Sequence, residues 1–271
     1  MATMDWSAQG GSAPASYQEF LVPAMFEPFA ATLVEQAGVG EGSVVLDVAC
    51  GTGAASRAAA RRAGASGSVT GVDLGEPTLA VARAQATDPG AAPITWLQAD
   101  ATALPVDDAT FDVAICQQGL QFFPDKHAAL TEMHRALKPG GRLAIATWTA
   151  VEQSPFHAVI RALEHDLGPE AGQVLNSPFT LEAAELGRVI EAAGFSDVQV
   201  LDETQECTWA ATPEEFARRT IASGPLAPAF AAAPEDAQVA VAADAAEELR
   251  AHAVDAGIRM PMTSNVALAR R

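Results

Sequence analysis

Ten consecutive residues constrain this chain more than any others: Val44-Val45-Leu46-Asp47-Val48-Ala49-Cys50-Gly51-Thr52-Gly53. An apolar run carrying one acid enters a glycine turn, and the small and basic residues from Ala54 to Arg62 then read as helix. Strand, glycine turn and helix in that order present a ligand site at the carboxyl end of the first strand of a parallel α/β sheet. Glycine at 51 and 53 permits positive φ and close backbone approach, so a ligand can lie against main chain and a helix amino terminus.

The rhythm continues downstream. Strands are expected at 68–73, 94–99, 111–116 and 142–148, with helices at 76–87 and 125–137 and a turn at Lys138-Pro139-Gly140-Gly141. Upstream, Phe20, Leu21, Met25, Phe26, Phe29, Leu33 and Val34 recur at helical spacing, with Pro23 and Pro28 marking a bend. Residues 1–13 read as a loose polar arm. After Thr149 the alternation breaks: a helical stretch at 152–167, a loop at 168–178, a helix at 181–193, a strand at 197–204, alanine-rich helices over 210–257 and a last strand at 264–268.

The expected fold class is therefore α/β, with crossover helices on a parallel sheet. The chain divides into an amino-terminal helical flap (1–40), a Rossmann-like core (41–149), a helical cap (150–180 and 205–257), and a remainder (181–204 and 258–271) that completes the core sheet.

Charge narrows the partners. With 34 acidic against 16 basic residues the formal net charge is −18, and the basic residues gather into no stripe. Nucleic acid and anionic membranes are excluded as expected partners, because binding either depends on neutralising phosphates. No apolar run approaches the length of a bilayer span and the amino terminus shows no secretion pattern, so insertion in a membrane is not expected and a cytoplasmic location is. Cys50, Cys116 and Cys207 match neither a disulfide framework nor a zinc pattern, and no metal site is expected. Composition leaves monomer and homodimer open.

Three acids fall at comparable places: Asp47 within the first strand, Asp73 ending the second and Asp100 following the third. In a doubly wound sheet such ends converge on one crevice. Asp73 suits the paired hydroxyls of a ribose, and Asp100 with the backbone of Ala101 suits the edge of an adenine that Leu74 would flank. Asp47 would orient the glycine loop or meet a cationic part of the ligand. A dinucleotide is the competing ligand, with an NAD(P)-dependent oxidoreductase as the activity. Against it, the third small position of the glycine signature is Ser56, and a pyrophosphate gains nothing from nearby carboxylates. A sulfonium nucleoside with an amino-acid tail tolerates them. A non-catalytic nucleoside-binding module is the alternative from another class.

These stretches, together with Gly71-Val72-Asp73, Ala99-Asp100-Ala101 and Leu137-Lys138-Pro139-Gly140-Gly141, resemble the class I S-adenosylmethionine-dependent methyltransferases, especially those acting on quinones and natural-product scaffolds. The resemblance spans roughly residues 17–148. It implies a Rossmann-like, seven-stranded, mostly parallel sheet with an antiparallel last strand, and S-adenosylmethionine as cofactor. By the same resemblance Gly51 and Gly53 border the methionine part, Asp73 holds the ribose, Asp100 and Ala101 border the adenine, Ala49, Gln117 and Gln118 line the cofactor, and Tyr17 closes over it.

Methyl transfer from a sulfonium is an in-line displacement, so alignment and exclusion of water are the minimum requirements, and a base is needed only for a protonated nucleophile. His157, in the segment that should cap the crevice, is the candidate base. The expected acceptor is a hydrophobic small molecule, with Tyr17, Phe26, Gln121, Phe122, Phe156 and Phe179 as its lining.

Overall fold

The computed structural model describes residues 13–224 and 226–271. In chain order it contains α1 (Ala13–Phe20), α2 (Glu27–Gln36), β1 (Val44–Val48), α3 (Ala54–Ala63), β2 (Ser68–Asp73), α4 (Glu76–Ala84), β3 (Ile94–Gln98), β4 (Phe111–Gln117), α5 (Lys126–Ala136), β5 (Leu137–Trp148), α6 (Phe156–Leu167), α7 (Pro169–Asn176), α8 (Ala183–Ala192), β6 (Ser196–Trp209), α9 (Pro213–Ala222), α10 (Ala227–Ala232), α11 (Glu235–Leu249), β7 (Ala253–Val254) and β8 (Gly257–Arg270). The arm expected at 1–13 lies outside the described residues except for Ala13, which opens α1.

The strands run β3-β2-β1-β4-β5-β8-β6 in one sheet, and the two-residue β7 pairs with β8. Pairings from β3 to β5 are parallel, and β8 runs antiparallel to both β5 and β6. The Rossmann-like α/β fold with an antiparallel strand inserted late in the chain is as expected. The order reverses between β1 and β4, so the crevice opens at the carboxyl ends of those two strands.

One sheet face carries Val45, Val69, Val113, Ile115 and Ala144 against α2 and α3. The other carries Leu46, Val48, Val72, Ala114 and Ile145 against α5 and α8. The alanines of α3 let it lie close to the strands: Ala55, Ala58, Ala59, Ala60 and Ala63 are all buried. A third cluster joins Phe20, Met25 and Phe29 to Trp148, to α6 and α9, and to the outer halves of β6 and β8, including Trp209 and Met260.

Several boundaries differ from the sequence reading. The loop at 168–178 is largely α7 followed by a 3-10 turn (Ser177–Phe179). Gly168 at φ +94 breaks from α6, and Pro169 supplies the φ that starts the next helix. The turn at 138–141 lies inside β5, which begins at Leu137 beside Phe111; the register shifts there, with Gly140 at φ +76. The last two long strands extend well past 197–204 and 264–268, because β6 and β8 continue as an antiparallel ladder that carries Cys207, Trp209 and Ile258 into the third cluster. Between α1 and α2 the bend is a π-helical turn (Val22–Phe26) containing Pro23. No described helix is long and apolar enough to cross a membrane.

Candidate active site at the strand ends

The glycine turn takes the conformation its residues permit. Ala49, Gly51 and Gly53 all have positive φ, at +57, +57 and +88. A Cβ at Gly51 would meet nothing, so that edge of the turn is open. A Cβ at Gly53 would lie 2.4 Å from the Trp96 indole, and one at Gly71 would lie 2.7 Å from the same ring. Trp96, on β3, therefore fills the space that two glycines vacate. Sequence reasoning passed over it, although a glycine inside a strand signals such a close approach.

Asp73 is built into the turn. Its Oδ2 accepts from the Gly51 N–H at 2.8 Å and its Oδ1 from the Gly75 N–H at 2.9 Å. Each oxygen keeps further acceptor capacity. Burial pushes the Asp73 pKa up, and the backbone N–H donors oppose it. Tyr17 packs against Phe26 with ring centroids 4.9 Å apart. Desolvation first, then the Asp73 charge, hold the Tyr17 hydroxyl well above its ordinary pKa. Phe26 in turn sits edge-on to Trp148 at 5.9 Å, and its carbonyl accepts from Gln117 Nε2 at 2.8 Å. The amino-terminal helices are thus tied to the ends of β4 and β5 beside the acid of β2.

Asp47 is wholly buried, and its Oδ2 accepts from Ser56 Oγ at 2.5 Å. Its Oδ1 has no partner among the described residues. Serine at the third small position is thereby explained: it caps the acid beneath the turn. Burial is the main reason the Asp47 pKa rises to about 7, against the Ser56 hydrogen bond that lowers it. In the unfolded chain the same group titrates near 4. The folded state therefore binds the extra proton between about pH 4 and 7, and stability falls as pH rises through that window. We expect Asp47→Asn to match the parent's stability below pH 4, to exceed it increasingly up to about pH 7, and to hold a constant margin above that; urea unfolding across pH measures the divergence, and parallel curves would refute it.

The remaining predicted residues separate into groups. Leu74, adjoining Asp73, is 50% exposed, the largest exposure recorded among the large hydrophobic side chains. Asp100 is exposed and accepts from the Thr102 backbone and hydroxyl through Oδ1, both at 2.8 Å, with Ala101 beside it. Gln117, Gln118 and Gln121 are all buried. Gln118 has φ +57 and its Nε2 donates to Ser264 Oγ at 2.7 Å, an anchor from β8 that sequence reading missed because it lies 146 residues away. Phe122 is half-buried in the same 3-10 turn as Gln121. Phe179 helps line a cavity of about 20 Å³ with Thr149, Ser154 and Met262, which is room for roughly one water.

Two of the expected residues are held by contacts on the helical side. Phe156 is 5% exposed and packed among Phe179, Trp209 and Phe216, so it is core of the helical cluster rather than a free lining residue. His157, one residue on, turns toward α11, with Nδ1 3.6 Å from Glu248. One helical turn fixes this: once Phe156 points into the core, its neighbour on α6 must point elsewhere. A larger cavity, about 340 Å³, lies between α3 and α4, lined by Arg57, Arg83 and Trp96. His165 also joins α6 to α11, with Nδ1 3.0 Å from Asp166 and 2.9 Å from Asp244.

The glycine turn and the acid ending β2 thus lie together at the carboxyl ends of the parallel strands. By comparison with known proteins, residues 46–145 match the model of the methyltransferase domain family. The ubiquinone/menaquinone biosynthesis C-methyltransferase UbiE of Idiomarina loihiensis is 38% identical over 143 residues, covering 52% of this chain and 57% of that protein. The demethylmenaquinone methyltransferase of Bacillus subtilis is 42% identical over 118 residues, covering 44% and 51%. The chain thus spans about half the length of the curated relatives it matches. Among solved structures, Haemonchus contortus phosphoethanolamine N-methyltransferase 2 in complex with S-adenosyl-L-methionine gives a TM-score of 0.61 at 17% identity, covering 99% of this chain and 59% of that one. The YcgJ protein of Bacillus subtilis gives 0.58 at 16% identity, covering 90% and 98%. Residues 46–145 are thus similar to a methyltransferase domain, and the chain shares its fold with these solved structures.

Proposed function

We propose that this protein transfers a methyl group from S-adenosylmethionine to a hydrophobic small-molecule acceptor of quinone-like or phenolic type. The observation that carries the reading is the pairing of Asp73 with the Gly51 N–H, which fixes an acid and an open glycine edge in one rigid unit. The residues fit the cofactor. Gly51 has no side chain to obstruct the amino-acid tail, Asp73 retains lone pairs for ribose hydroxyls, and exposed Leu74 offers an apolar platform beside them. The unpartnered Asp47 Oδ1 adds negative potential beneath the turn whenever Asp47 is ionised, which suits a cationic ligand and not a pyrophosphate. The same acid disfavours the dinucleotide reading.

When bound, S-adenosylmethionine supplies an electrophilic methyl on a sulfonium. The chain's own task is then positioning. Asp73, Asp100 with Ala101, and Leu74 hold the nucleoside; Ala49, Gly51 and Gly53 receive the tail along the backbone; Gln117 fixes the Phe26 segment over the strand ends. Tyr17 and Phe26 keep water from the reacting atoms, with Gln118, Gln121, Phe122 and Phe179 forming the acceptor side under α6, α7 and the alanine-rich helices. The names of the curated relatives support a quinone-related acceptor.

Because its ring faces Glu248, His157 does not serve as base in this reading. We expect His157→Ala to keep turnover within about threefold of the parent at every pH from 6 to 9, whereas loss of a general base costs roughly 100-fold or more. The function itself is tested by incubation with S-adenosylmethionine labelled in the methyl group and a panel of phenols, hydroquinones, amines and thiols. Label should appear in the aromatic hydroxyl compounds. Label confined to amines or thiols would contradict the proposed acceptor class.

A further inference from the structure

The cavity of about 340 Å³ between α3 and α4 takes no part in the function proposed above. Its lining runs from Gln85 and Thr87, at and beyond the end of α4, to Ile94 at the amino-terminal start of β3, so it reaches toward the opposite end of the strands from the crevice. Two arginines line it, Arg57 of α3 and Arg83 of α4, together with the Trp96 indole. They stand out in a chain of net charge −18 with 16 basic residues. The acids nearby are already engaged: Glu76 holds Arg83 at 2.6 Å and Asp88 holds Arg61 at 3.3 Å. Arg57 has no ion pair among the described residues; its Nη1 donates to the Thr52 carbonyl at 2.7 Å, and its other N–H groups are left for a further acceptor. Burial is the main influence on the Arg57 charge and pushes its pKa down, which an anion beside it would oppose.

A cavity of this size takes a small molecule, and its lining sets the chemistry. The planar fork of an arginine matches a carboxylate, and an indole gives a flat ring a surface to stack on. We propose that this cavity is a second small-molecule site, taking a planar aromatic carboxylate, and that filling it stiffens the glycine turn from behind. The stiffening follows from two contacts. Arg57 holds the carbonyl of Thr52, the middle residue of the Gly51-Thr52-Gly53 turn, and the Trp96 ring lies 2.4 Å from where a Cβ on Gly53 would stand. A ligand that pairs with the free side of the guanidinium and covers the indole restricts both side chains, and through them the turn. The site is independent of what the strand-end crevice binds.

The test titrates the full chain, by calorimetry, with 2-naphthoate, its neutral analogue 2-naphthamide and inorganic phosphate. Naphthoate should bind at one site per chain and at least about tenfold tighter than either of the others, since it alone offers both charge and ring. Arg57→Met should bring naphthoate and naphthamide to within about twofold of each other. Thr87→Trp, a change at an exposed position that fills the cavity and leaves the turn alone, should weaken naphthoate at least about tenfold. Thermal unfolding checks that both variants are folded; if Arg57→Met is not, Thr87→Trp and the amide comparison decide. Amide hydrogen exchange over residues 50–55 of the parent should slow about threefold or more when naphthoate is bound. Equal binding of acid and amide by the parent overturns the site. So does Thr87→Trp binding naphthoate as the parent does, which would put the ligand elsewhere on the chain. Phosphate bound as tightly as naphthoate overturns the aromatic class, and unchanged exchange with naphthoate bound overturns the stiffening.

Discussion

Replacing Asp73 with alanine is expected to weaken S-adenosylhomocysteine binding by about 100-fold or more while the protein stays folded. Hydrogen bonds to a charged acceptor contribute about 1.5–3 kcal/mol each, and two ribose hydroxyls would share this carboxylate. The effect on stability is smaller because opposing contributions meet at this side chain. Alanine leaves the Gly51 and Gly75 N–H groups without their acceptor, but it also removes a buried carboxylate whose raised pKa reports unfavourable desolvation. Asp73→Asn should fall between, since an amide oxygen can hold one of the two N–H groups. Calorimetric titration of parent and variants decides it; unchanged affinity in Asp73→Ala would detach this acid from the ligand.

Trp209→Ala is expected to be the most damaging single truncation outside the crevice, at about 3–5 kcal/mol. Trp209 is 1% exposed, at the far end of β6, with its ring edge-on to Phe216 at 5.3 Å and to Phe156 at 6.3 Å. The backbone leaves no room for adjustment there: a Cβ at Gly257 would come 1.9 Å from the Trp209 carbonyl oxygen. Alanine would open a cavity where α6, α9 and the β6/β8 ladder meet. A midpoint lower by roughly 10 °C in thermal unfolding is the expected readout. A shift under about 2 °C would mean that the cluster collapses around the missing ring. Trp209→Phe should recover part of the loss.

The parallel part of the sheet was legible because its signal is local. Val44 to Gly53 carries strand, turn and helix start within ten residues, and the second and third strands each end in an acid, Asp73 and Asp100. The helix at 125–137 carried its own start signal in Asp125, whose side chain accepts from the Ala128 N–H. Legibility failed where the determinant is distant. The full length of β6 and β8 depends on their pairing with each other, and neither segment alternates strongly enough alone to announce fourteen residues of strand. At the site, Asp47 and Asp73 stood out by type and position. Ser56 was noticed only as a departure from a glycine signature, although it donates to Asp47. Ser264 gave no local sign at all. His157 was chosen for its place after the fifth strand, and the amphipathic register of α6, with Phe156, Val159, Ile160 and Leu163 buried, turned it toward Glu248.

The account depends on an adenosyl group held at the ends of β1, β2 and β3. The most direct measurement is isothermal titration of the purified chain with S-adenosylhomocysteine and, separately, with NAD. We predict saturable binding of S-adenosylhomocysteine at one site per chain, lost in Asp73→Ala, and no heat from NAD. Saturable binding of NAD with none of S-adenosylhomocysteine would contradict it.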